Sequence, residues 1–118
     1  MKVNRFAFSC LPLLFVISAC AGTQAEAMQR FVYHKDMAVS RQENIGGYLK
    51  PKSGRSGVSL EGVQEVQPGV MEYSFIDKLK IFVSAEKKCR FILIAQKDTG
   101  TIIGWRYNGN PEYCTANP

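Results

Sequence analysis

The sequence predicts an α+β domain: a small antiparallel sheet of three to four strands, one or two short helices toward the N-terminus, and one disulfide. Three observations predict it. The apolar segments CRFILIAQ and TIIGWRY flank the turn-forming residues Asp98, Thr99 and Gly100, the pattern of a β-hairpin. Upstream, VMEYSFI alternates, with Met71, Tyr73 and Phe75 on one side and Glu72 and Ser74 on the other. Cys89 and Cys114 bracket the hairpin, and they are the two cysteines left once an export signal is set aside.

That signal occupies residues 1–19. Lys2 and Arg5 precede the twelve-residue stretch FAFSCLPLLFVI, and the small residues of SACAG follow, in the order of a secretory signal peptide. The stretch falls well short of the roughly 20 apolar residues that cross a bilayer as a helix. The segment ISAC, Ile17 to Cys20, resembles a bacterial lipobox, which implies acylation of Cys20 and membrane attachment through that lipid. Ala21 behind it resembles the residue of a lipoprotein sorted onward to the outer membrane, facing the periplasm. Ordinary cleavage competes, because Ala19-Cys20-Ala21 and Ala25-Glu26-Ala27 both fit the A-x-A rule. On that alternative the product is soluble in the periplasm or secreted, and Cys20 is discarded.

Either route leaves Cys89 and Cys114 in an oxidising compartment, where a disulfide is the expected state. The bridge closes a loop of 26 residues, from Cys89 to Cys114. The chain-entropy model values such a loop at about 3.5 kcal/mol. There is no C-x-x-C, and His34 is the only histidine, so the usual metal sites are excluded and no cofactor is implied. Net charge is +5, and without Lys2 and Arg5 it falls to 13 basic against 10 acidic residues. That mild balance is unlike a nucleic-acid-binding composition.

Along the chain, residues 20–29 read as a polar tether and residues 30–118 as a single domain. RFVYHKDMAV is consistent with a short strand or a helical turn. Residues 41–57, RQENIGGYLKPKSGRSG, carry loop chemistry, and Lys50, Lys52 and Arg55 make the loop basic. Residues 59–66 are predicted as a short helix capped by Ser59, with Leu60, Val63 and Val66 on one face and Pro68-Gly69 ending it. LKIFVSA alternates and is predicted as a strand.

For the last hairpin, a three-residue loop with Gly100 in the left-handed position sets Lys97 opposite Thr101. Ala95 then faces Ile103, Leu93 faces Trp105 and Phe91 faces Tyr107, which makes Trp105 and Tyr107 core residues. Arg106 projects to the other face beside Arg90 and Ile92. The chain reverses at residues 108–111, so the bridge is expected at the sheet edge, pinning the tail across the hairpin.

No catalytic constellation is found. His34 has no nucleophile or orienting partner, and Glu61 with Glu65 reads as a solvated helix face rather than an acid/base pair. SGRSG lacks the Gly-Lys-Ser/Thr ending of a phosphate loop. The run CRFILIAQKDTGTIIGWRYNGNPEYC resembles the C-terminal hairpin of small Gram-negative lipoproteins similar in plan to the BamE/SmpA group: Cys, apolar strand, Asp-x-Gly, apolar strand with Trp, then a closing Cys. In that group two short helices pack on a three-stranded antiparallel sheet, and its members support assembly of outer-membrane proteins from the inner face of that membrane.

The chain departs from the group in its Gln67-Pro68-Gly69 stretch and in the long loop at 41–57. The resemblance implies a non-enzymatic lipoprotein that binds or supports another envelope protein. Two other readings stand beside it. One is an inhibitor or immunity lipoprotein that acts against a hydrolase, phage or conjugation apparatus through residues 47–57. The other is an anionic glycan or lipid binder that uses Lys50, Lys52, Arg55 and Arg106.

Overall fold

Thr23 opens the described part of the chain with a reciprocal cap. Its Oγ1 accepts from the Glu26 amide at 3.1 Å, and its own amide donates to Glu26 Oε1 at 3.0 Å. A cap of this kind contributes about 1 kcal/mol. It starts helix α1, Gln24–Ser40. The computed structural model describes residues 23–49, 57–78 and 82–116.

Phe31 and Ala38, two turns apart, are the buried residues of α1. Lys35 lies on the same stripe: its apolar stem fits the interface, and its Nζ sits 4.6 Å from the Phe31 ring centre and 4.5 Å from that of Phe91. Gln42, at φ 53°, ends the helix in the left-handed region. A short helix α2, Gly46–Leu49, follows and buries Tyr48.

The sheet is an antiparallel meander in the order β1-β2-β3-β4. Its strands are β1 Val58–Gln67, β2 Val70–Asp77, β3 Arg90–Gln96 and β4 Ile102–Tyr107. The alternating residues Phe75, Phe91, Leu93 and Ala95 meet Phe31, Tyr48 and Ile102 in one core. Phe91 is its hub, stacked on Phe75 at 5.5 Å and edge-on to Phe31 at 5.6 Å. The fold class is therefore as predicted: four antiparallel strands, one helix plus a short one, and one disulfide.

The two edges of the sheet differ. At the β4 edge the chain between the helices pairs with the start of the strand, where the Ile102 amide donates to Glu43 O and the Ile45 amide to Gly100 O. Asn44 holds the turn, donating from Nδ2 to Thr99 O at 2.8 Å. Gly100 sits at φ 78°, and a Cβ there would lie 3.0 Å from the Asn44 side chain, so glycine is required twice over. Among the described residues, no comparable segment lines β1.

Several expectations are corrected. The tether assigned to residues 20–29 ends sooner, because α1 begins at Gln24 and runs through RFVYHKDMAV without a strand. Residues 59–66 are strand, not helix, and Pro68-Gly69 forms the β1–β2 turn with Gly69 at φ 81°. The reason is a bulge. Leu60 pairs with Phe75 and Val63 with Tyr73, so three residues of β1 span two of β2. An extra residue turns strand spacing into a helix-like i, i+3 pattern. LKIFVSA is not a strand over its described part: Phe82 and Val83 lie in a turn and Phe82 is 97 % exposed, while residues 79–81 lie outside the described residues.

The last hairpin closes one pair earlier than predicted. The Gln96 amide donates to Thr101 O and the Gly100 amide to Gln96 O, leaving a four-residue loop, Lys97 to Gly100. A bulge at Ile103 restores the register. Ala95 pairs with Ile102 instead of Ile103, while Leu93 opposite Trp105 and Phe91 opposite Tyr107 stand as predicted. Ile102 is thus buried and Ile103 is 44 % exposed.

The Cys89–Cys114 bridge is present, within the core rather than at the sheet edge. It holds the tail against α1: the Ala116 amide donates to Ala27 O, Arg30 Nε to Ala116 O, and Gln24 Nε2 to Glu112 O.

Candidate functional site

Of the four cations assigned to binding, Lys50, Lys52 and Arg55 lie outside the described residues, as does Cys20. Arg106 is described and is occupied. Its two terminal nitrogens donate to both oxygens of Glu72, at 2.6 and 2.7 Å, in a parallel fork across the face opposite the helices. Two further pairs lie on the sheet. Arg90 Nε meets Glu61 at 3.1 Å, and Lys97 Nζ meets Glu65 at 3.0 Å. Glu65 also accepts from the Gly69 amide and so clamps the β1–β2 turn. Glu61 and Glu65 therefore stand on a strand, each with its own cation, and not on a solvated helix face.

The Arg106 guanidinium holds the Glu72 carboxyl below the usual carboxylate range, and Glu72 in turn raises Arg106. A carboxyl depressed in the fold adds stability that is complete above the unfolded value, about 4.3. That stability is lost as pH falls through the lower folded value. Glu72→Gln is accordingly expected to flatten the acid limb of a stability–pH profile measured by urea midpoints. The loss near neutral pH should be below about 1 kcal/mol, because the Arg106 side chain is 51 % exposed.

Trp105 and Tyr107 are half-buried against Phe31, and Trp105 Nε1 donates to Asp36 Oδ1 at 2.9 Å. The ring is thereby fixed by α1 and serves the core. His34 is exposed on α1 beside Tyr33. Among the described residues no group of three His, Cys, Asp or Glu side chains is placed to hold a metal, and no helix is long and apolar enough to cross a membrane.

Two surfaces remain, and neither was read from the sequence. The first is a strip on β1. Leu60, Val63 and Val66 are 42 %, 45 % and 42 % exposed, and Leu60 and Val63 share the core-bearing face with Phe75 and Tyr73. Helix α1 packs over β4 and the single turn of α2 reaches β1, so among the described residues the helix layer leaves this strip open. Its signal was Gly62, a residue that weakens a helix and is at home in a bulged strand. The second is an open groove between the first half of α1 and β4, lined by Ala25, Met28, Gln29, Val32 and Tyr107. Its signal was Thr23-x-x-Glu26, the capping box that starts the helix. The chain matches no family model, no curated protein and no solved structure.

Proposed function

We propose that this chain is a non-enzymatic exported lipoprotein of the envelope, anchored through Cys20 and binding another envelope protein, as its likeness to the BamE/SmpA plan implies. The observation that carries the reading is the strip Leu60, Val63 and Val66 on the edge strand β1, exposed among the described residues. Exposed aliphatic side chains, two of them (Leu60 and Val63) on the face that elsewhere forms the core, are the chemistry of a protein contact. Lys50, Lys52 and Arg55 closely precede β1 in the sequence, so a partner with an apolar contact surface and acidic groups matches this stretch of the chain. The glycan reading is weakened, since Arg106, one of its four cations, is committed to Glu72.

Photo-crosslinking from Val63 in intact cells tests the proposal. A discrete protein adduct is expected, and Leu60→Asp should reduce its yield about tenfold or more, the consequence of losing roughly 1.5 kcal/mol of apolar burial. If positions 60, 63 and 66 all fail to give an adduct, the proposal is wrong.

A further inference from the structure

We infer that the groove between α1 and β4 is a membrane-contacting surface, and that the lipid bilayer itself is its occupant. The inference rests on the lipoprotein reading of Cys20. Its starting point is the distance from that cysteine to the fold. Thr23 already caps α1, so three residue-to-residue steps separate Cys20 from the helix, about 11 Å at full extension. With 1.5 Å of rise per helical residue, Met28 lies only about 8 Å further along the axis. A lipid-bearing cysteine sits at the headgroup boundary. The anchor therefore keeps the N-terminal end of α1 within about 11 Å of the bilayer surface, close enough for the side of its first two turns to lie on it.

The surface held there has the matching chemistry. Ala25, Met28, Val32 and Tyr107 line the groove with Gln29 as its polar member, and the lining contains no charged side chain. Tyrosine, with an apolar ring and a polar tip, suits the headgroup level. Interfacial helices bury their apolar side about 5–10 Å into that region. Contact through this groove adds to the lipid anchor and gives the domain a fixed orientation on the bilayer. The tail supports the same surface from behind, because Ala116 bonds to Ala27 and Arg30.

The test is amide hydrogen exchange of the processed, full-length lipoprotein on phosphatidylethanolamine–phosphatidylglycerol vesicles, compared with the Cys20→Ala form in solution. Residues 24–33 are expected to exchange at least about tenfold more slowly on vesicles. Met28→Asp, or Gln29→Asp at an exposed lining position, should abolish that difference while the protein still floats with the vesicles. Unchanged exchange over residues 90–96 shows that the fold persists in these variants.

Equal exchange on vesicles and in solution, with flotation intact, overturns the groove assignment and leaves the lipoprotein reading standing. Slowing that survives both aspartate variants also overturns it. A mature protein whose mass carries no lipid, and which does not float, overturns the anchor and the groove together.

Discussion

Replacing Cys89 and Cys114 together by alanine is expected to lower the stability of the domain by about 3.5 kcal/mol. The bridge joins positions 25 apart, and its sulfurs are enclosed, with Cys89 2 % and Cys114 0 % exposed. Domains of this size have total stabilities of only about 5–15 kcal/mol, so the loss is a large fraction of the whole. Urea unfolding of the oxidised wild type against the double alanine variant measures it directly. Midpoints that coincide would show that the tail docks without the bridge.

The damage should also be local before it is global. Gln24 and Arg30 of α1 donate to Glu112 O and Ala116 O, and Ala27 O accepts from the Ala116 amide, so a released tail frees the first turns of the helix. Exchange over residues 24–32 should accelerate in native conditions, while β3 stays protected until global unfolding.

What the sequence disclosed follows from how locally each element is determined. The β3–β4 hairpin was legible because Asp98 to Gly100 supply turn chemistry and the apolar residues alternate on both sides. Even its error was small. A loop one residue longer is offset by a bulge at Ile103, so the pairings of Leu93 and Phe91 survive. Strand β1 was misread because its bulge between Leu60 and Gly62 mimics helical spacing, and a bulge depends on the partner strand. Helix α1 was left open between a strand and a helical turn for another reason: its core-facing stripe runs Phe31, Lys35, Ala38, and a lysine whose charge lies over aromatic rings looks polar in sequence. The two surfaces were illegible because both depend on which parts of the sheet the helices leave bare.

Together, the two proposed surfaces give the protein a direction. The groove lies along β4 and the strip lies along β1, at opposite edges of a four-stranded sheet. With about 4.8 Å between neighbouring strands, the three steps separate them by about 14 Å before side chains are counted. An anchor that brings the β4 side to the bilayer would therefore turn the β1 strip away from it, where a partner could reach it. The β4 edge is paired at its start and, among the described residues, the β1 edge is not, which fits this division, since an unprotected strand edge invites pairing.

Phe91→Ala is the single substitution expected to cost most, about 3–5 kcal/mol. Phe91 is 1 % exposed and touches each part of the core. It stacks on Phe75 of β2, meets Phe31 of α1 edge-on, pairs with Tyr107 of β4, and carries Lys35 Nζ at 4.5 Å over its ring. Truncation therefore removes the apolar area of a large ring, leaves a cavity that three neighbouring aromatic rings are too rigid to fill, and takes one aromatic face from the lysine charge. Phe91→Leu keeps most of the volume and none of the ring contacts, so it should cost clearly less. Phe82→Ala provides the contrast: that ring is 97 % exposed, and its loss should change stability by no more than about 0.5 kcal/mol. Urea midpoints for the three variants test the order, and a Phe91→Ala cost no larger than that of Phe82→Ala would remove Phe91 from the centre of this fold.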